Sequence, residues 1–231
     1  MLTDVIIVGA GQGRRLGAEV PKVLLPLGAH PVFMHSVAAF SSLPEVDGLV
    51  LVVPAGEEER VRSWCVEQGC AARVRAIVSG GARRQDSVAI GLARVAESAD
   101  IVLVHDAARP FVSADLIRRV RQAAISHGAA IPGIPVTDTL KTVAPDGRVV
   151  ATVDRQQLVA VQTPQGFQKR LLEKIMKTAQ APGGEATDEA VLAERLGIPV
   201  TVVAGDAKNF KLTNPWDYQV AQCLEKGGAL A

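Results

Sequence analysis

The chain has 231 residues, 48% of them apolar and 21% charged, with a formal net charge of +1 at pH 7. This length supports a sizeable core in one domain, and the near-balanced charge excludes a bulk electrostatic grip on nucleic acid. Aromatics make up only 3%, so the core must come from Val, Ile, Leu and Ala, which suits a largely parallel sheet covered by helices.

Residues 4–8 are an apolar run that reads as a first strand, opening into Gly9-Ala10-Gly11-Gln12-Gly13-Arg14-Arg15. Phe33, Val37 and Phe40 stand at helical spacing within a helix from Val32 to Leu43. Leu49 to Val53 is a second strand stopped by Pro54, and Glu57 to Gln68 a polar helix stopped by Gly69. Val74 to Val78 is a third strand leading to Ser79-Gly80-Gly81, and Arg84 to Ala96 is a helix. Ile101 to Val104 is a fourth strand ending at His105-Asp106, followed by a helix from Ala114 to Ser126 and a strand from Ala130 to Ile134. This alternation predicts a Rossmann-like α/β fold: a mostly parallel sheet with helices on both faces.

From about 135 to 160 the alternation breaks. Val143 to Val150 reads as a hairpin with Asp146-Gly147 at its turn. A two-stranded excursion is marginal by itself, and a second copy of the chain is the natural partner for it. Beyond it, Lys169 to Thr178 and Asp188 to Arg195 read as helices and Val200 to Val203 as a strand. A last helix follows Asn214-Pro215, with Asn214 as its cap. The expectation is one domain over 1–231 carrying a β-arm at about 135–160.

The three cysteines, Cys65, Cys70 and Cys223, are odd in number and lack ligand spacing, which argues against structural zinc or a disulfide framework. The N-terminus runs straight into a strand, and no apolar run approaches membrane-spanning length. A cytoplasmic protein is expected, binding neither membrane nor nucleic acid.

An apolar strand opening into glycines brings backbone amides close to a phosphate. The spacing is not that of a dinucleotide fold: Arg14 sits where the third glycine belongs, and no acid follows near Val32 to Val37. Walker A fails too, for want of Gly-Lys-Ser/Thr. Lys22, fixed behind Pro21, offers a phosphate clamp. Asp106 stands just beyond a buried strand, at the edge where ligands gather in open α/β sheets. It could hold Mg²⁺ or simply cap a turn. His105, with no second histidine nearby in sequence, reads as a hydrogen-bonded structural residue. Arg109 could meet an anionic substrate or pair with an acid. Gly80 to Ser87 could wrap a base or sugar or start a helix, and Lys211 could be merely solvated.

Taken together, these stretches resemble the 2-C-methyl-D-erythritol 4-phosphate cytidylyltransferases of the non-mevalonate isoprenoid pathway. The matching segments are Gly9 to Leu16 with Pro21-Lys22, Gly80-Gly81 with Asp86-Ser87-Val88, Val104 to Pro110, and Asp138 to Lys141. Val153 to Arg155, Gln162 to Gln165, Thr187 to Ala190 and Asn209 to Thr213 continue the match in family order. The resemblance implies an enzyme that joins CTP to the erythritol phosphate and releases pyrophosphate, with Mg²⁺ as cofactor. It implies a homodimer with interlocked arms, each helping to complete the other subunit's site. It assigns Arg15, Lys22 and Lys211 to charge stabilisation and Asp106 to the metal and nucleotide. Gly9, Ala10, Gly11, Gly13, Gly81 and Ser87 are assigned to CTP. Arg109, Thr139, Arg155 and Thr163 are assigned to the sugar phosphate, with Thr139 and Arg155 coming from the partner arm. A related enzyme for another polyol phosphate, such as ribitol 5-phosphate, would share the CTP loops. A silent nucleotide binder is disfavoured by the joint presence of Arg15, Lys22, Asp106 and Lys211. Gly9, Leu16 and Ala82 depart from common family residues. The cyclodiphosphate synthase domain fused to some relatives is not expected.

Overall fold

The computed structural model describes residues 1–11, 20–178 and 186–228. In chain order its elements are β1 (Thr3–Val8), β2 (Pro26–Leu27), β3 (His30–Pro31), α1 (Val32–Ser41), β4 (Gly48–Val53) and α2 (Glu58–Glu67). There follow β5 (Val74–Ser79), α3 (Arg84–Leu92), β6 (Ile101–Asp106), α4 (Ala114–His127), β7 (Ala129–Pro135), β8 (Leu140–Val143) and β9 (Val149–Val153). The last are β10 (Val159–Val161), β11 (Gln165–Gln168), α5 (Lys169–Thr178), α6 (Glu189–Arg195), β12 (Thr201–Ala204) and α7 (Pro215–Lys226).

The main sheet runs β10-β7-β11-β6-β1-β4-β5, with β12 along the other edge of β7. β6, β1, β4 and β5 are mutually parallel. Successive residues of a strand face opposite sides of a sheet. In β1, Val5 and Ile7 therefore join a core with Phe33, Phe40 and Leu116, while Ile6 and Val8 join Val88, Phe167 and Leu172 on the other side. Both faces are apolar and both are covered by helices, as the near-continuous apolar strands require.

The structure adds elements that the sequence reading did not anticipate. β11 enters antiparallel between β6 and β7, and β10 pairs antiparallel with the far end of β7. The sheet is thus mixed on this side. β2, β3, β10 and β11 have only two to four residues each, too few to show a period. α3 ends at Leu92 rather than Ala96, but the turns after it still bury Val95. α4 is capped by the Ser113 hydroxyl, which accepts from the Leu116 amide at 3.3 Å, and stops at Gly128, where φ is 88°.

The predicted hairpin is present. β8 and β9 pair antiparallel, and Gly147 at the turn has φ 86°. Their side chains are almost all exposed, including Val143, Val149 and Val150. Cys65, Cys70 and Cys223 are all free thiols. Among the described residues, no helix is long and apolar enough to cross a membrane.

Candidate active site

The carboxyl ends of β1, β5 and β6 open on a cavity of about 710 Å³ lined by Gly9, Ala10, Gly11, Lys22, Gly81, Ser87, Asp106 and Lys211, with Arg84 and Thr213. Eight of the residues singled out from sequence thus share one wall system. The glycine loop and the loop after β5 meet because residue 80 has no side chain. A Cβ at Gly80 would lie 2.1 Å from the Ala10 Cβ and 2.7 Å from the Ser87 Oγ. The Ser87 hydroxyl shapes this second loop: it accepts from the Gly81 amide at 3.0 Å and donates to the Arg83 carbonyl at 3.2 Å.

Asp106 is the electrostatic centre. Its Oδ1 accepts from Arg84 Nε at 2.9 Å and its Oδ2 from Lys211 Nζ at 2.6 Å. Burial opposes ionisation of this carboxylate, but the charges of Arg84 and Lys211 outweigh it and hold the pKa well below the usual range. Arg84 reaches in the other direction as well, donating Nη1 to Glu189 Oε1 at 2.7 Å. Lys22 Nζ donates to the Leu212 carbonyl at 2.8 Å, which brings it beside the Lys211 segment.

Behind Asp106 lies a buried polar network. The Thr163 hydroxyl accepts from the Asp106 amide at 3.0 Å and is 3.2 Å from His105 Nδ1. His105 Nε2 is 3.2 Å from the Arg109 carbonyl, an acceptor only, so the neutral ring with its proton on Nε2 satisfies both contacts. Asn209 Nδ2 donates to the Thr163 carbonyl at 2.8 Å, and Arg109 Nη1 to the Asn209 carbonyl at 2.7 Å. His105 is therefore a structural residue, as its sequence context suggested. Burial pushes its pKa down to about 3. An unfolded histidine protonates near 6.5. The stabilising contribution of neutral His105 is thus present above about 6.5 and is lost as pH falls toward 3. The expected result in ¹⁵N NMR is a His105 ring still neutral at pH 5. A charged ring there would contradict this account.

Comparison with known proteins places this geometry in a family. The family model described as IspD, 2-C-methyl-D-erythritol 4-phosphate cytidylyltransferase, matches residues 3–226. The chain belongs to this cytidylyltransferase family. It is 47% identical over 221 residues to the 2-C-methyl-D-erythritol 4-phosphate cytidylyltransferase of Symbiobacterium thermophilum, covering 96% of this chain and 92% of the relative. It is 45% identical to the bifunctional enzyme IspD/IspF of Nitratidesulfovibrio vulgaris, where the match covers 97% of this chain and 58% of the relative. Among solved structures, the cytidylyltransferase of Thermus thermophilus superposes with TM-score 0.81 at 37% identity, covering 98% of this chain and all of that one. The 4-diphosphocytidyl-2C-methyl-D-erythritol synthase of Anaerococcus prevotii superposes with TM-score 0.86 at 27% identity, covering 97% and 96%.

The remaining sequence candidates of this cytidylyltransferase-family chain fall elsewhere. Gly13, Arg15 and Leu16 lie outside the described residues. Ala82 stands exposed at the cavity wall. Thr163 is buried behind Asp106 rather than open to the cavity, and the Arg109 guanidinium is engaged with the Asn209 carbonyl and, at 3.4 Å, that of Val161. Thr139 and Arg155 are exposed at the arm and do not line this cavity; Arg155 donates to the Thr137 carbonyl. Sequence reasoning passed over Arg84 and Glu189 as site residues. Arg84 is 22 residues from one partner and 105 from the other. Its only local signal was a place directly after the Gly80-Gly81 loop.

Proposed function

We infer that the chain transfers the cytidylyl group of CTP to 2-C-methyl-D-erythritol 4-phosphate, giving 4-diphosphocytidyl-2-C-methyl-D-erythritol and pyrophosphate. The observation that carries this reading is the juxtaposition of two glycine loops with Lys22, Lys211 and Asp106 around one cavity, in a chain matched by the family model over residues 3–226. A phosphate oxygen of the erythritol compound attacks the α-phosphorus in line. The bond to the pyrophosphate oxygen breaks, and its electron pair leaves with pyrophosphate. A phosphate dianion is already a competent nucleophile, so the work of the protein is alignment and charge stabilisation.

In this reading Arg15, Lys22 and Lys211 offset the charge on the phosphorus centre. Gly9, Ala10, Gly11, Gly13 and Gly81 offer close backbone approach to CTP, and Ser87 holds that loop in shape. Arg109 serves the sugar-phosphate side, joined by Thr139 and Arg155 from the partner's arm in an interlocked homodimer, while Thr163 supports the Asp106 backbone from behind. The exposed valines of the arm support such packing. Residues 1–231 act as one nucleotidyltransferase domain, and the three free thiols support a cytoplasmic setting.

Asp106 suits Mg²⁺. It is ionised, faces the cavity, and retains lone pairs on both oxygens beyond those taken by Arg84 and Lys211. No cluster of three or more metal-ligating side chains occurs among the described residues, and one carboxylate with substrate phosphates and water is a common magnesium environment. When bound, the ion would be held by Asp106 and would offset the negative charge of the substrate phosphates.

The test is pyrophosphate release with CTP and Mg²⁺, comparing 2-C-methyl-D-erythritol 4-phosphate with ribitol 5-phosphate. Strong preference for the erythritol compound is expected. Preference for ribitol 5-phosphate, or no release with either, would overturn the substrate assignment.

A further inference from the structure

Asp106 stands at the end of β6 and Glu189 at the first position of α6, and one side chain spans them. Arg84, at the start of α3, gives Nε to Asp106 at 2.9 Å and Nη1 to Glu189 at 2.7 Å. A guanidinium can do this because its donors diverge from a rigid plane; a lysine ammonium is a point donor on a flexible stem. Glu189 is completely buried, and burial pushes its carboxyl up while Arg84 pulls it back. A buried carboxyl at that cost, absent from the cavity wall yet bonded to Arg84 on it, points to work done through its partner.

The elements around this pair hold it from several sides. The Ala186 amide donates to Gln85 Oε1 at 3.0 Å, tying the segment before α6 to the same turn of α3. Gln165 on β11 donates to Asp188 Oδ2 at 2.8 Å and accepts from the Ala190 amide at 3.2 Å. Asp188 itself caps α6 by accepting from the Val191 amide at 3.0 Å. Glu189 is therefore a fixed post. Lys211, the other donor to Asp106, comes from a loop and is more exposed than Arg84.

We propose that Arg84 is a positioning residue that aims the Asp106 carboxylate into the cavity, with Glu189 as its anchor. This rests on the reading of Asp106 as the carboxylate facing Mg²⁺ and the CTP phosphates. Loss of a group that orients a metal-facing ligand typically costs 10–100-fold in metal affinity or activity. Arg84→Lys keeps the charge but cannot serve both carboxyls. Glu189→Ala removes the anchor, whereas Glu189→Gln keeps an acceptor oxygen for Arg84.

The experiment is calorimetric titration of CTP, without the second substrate, at a series of Mg²⁺ concentrations, with Tm recorded for each variant. Asp106→Asn serves as the reference for loss of the carboxylate itself. Arg84→Lys and Glu189→Ala are expected to raise the Mg²⁺ concentration for half-maximal CTP binding about tenfold or more. Glu189→Gln should stay near wild type. Variants that lose Tm but keep the wild-type Mg²⁺ dependence would overturn the positioning role. If Glu189→Ala does not fold, Arg84→Lys alone decides by the same criterion. Mg²⁺-independent CTP binding by the wild-type protein, unchanged in Asp106→Asn, would overturn the underlying reading of Asp106 and this inference with it.

Discussion

Lys22→Ala is expected to lower kcat by about 10²–10³, the scale for losing one preorganised donor to a charged transition state. The reaction brings a phosphate dianion against a triphosphate, so repulsion opposes both approach and bond formation. Lys22 sits at the cavity wall beside the segment that carries Lys211, and its amine already donates to the Leu212 carbonyl. That contact restrains the ammonium before substrate arrives, which is what preorganisation requires. If Lys22 acts on the transition state, kcat and kcat/KM should fall together, whereas a rise in KM alone would mean ground-state binding only. Lys22→Met, which keeps most of the apolar stem, should show a similar loss with Tm near wild type. Near-wild-type turnover in both variants would remove Lys22 from the catalytic set.

Mixing two inactive proteins should restore activity. Thr139 and Arg155 are exposed and absent from the cavity of their own chain. If they complete the partner's site, a heterodimer of Lys22→Ala and Arg155→Ala chains contains one site with both residues intact. Its other site lacks both. A twofold dimer makes that division automatic, and such heterodimers should recover about half the turnover of wild-type dimers. Differently tagged chains, denatured together, refolded and separated by tag, would supply the species. Properly assembled heterodimers as inactive as either parent would rule out the exchange of arms.

Much of the fold was legible because it is written in local periods. The alternation of β1 shows directly in the two cores that its odd and even residues join. Asn214 announced its helix because a short polar side chain can reach the amide three residues on. The hairpin turn was visible in Asp146-Gly147 because its glycine takes a positive φ. β10 and β11 carried no comparable signal. Each is held by ladder partners far away in sequence, and a run of three or four residues displays too little of its own period.

The candidate site divides in the same way. The Gly9 loop, Lys22 and Asp106 stood out in sequence because glycines after an apolar strand, a lysine fixed behind a proline and an acid at a strand end are local patterns, whereas Lys211 was assigned only through the family resemblance. The sequence by itself therefore determined the chemistry on offer: an anion-binding loop, cations to face it, and one acid at a strand end. Only the tertiary structure decided how those charges divide among partners. It joined Arg84 to Asp106 and to Glu189, set Thr163 behind Asp106, and left His105 neutral in a buried network. The reason is physical: pairing energies depend on distance and desolvation, and neither exists until strands and helices far apart in the chain have packed together.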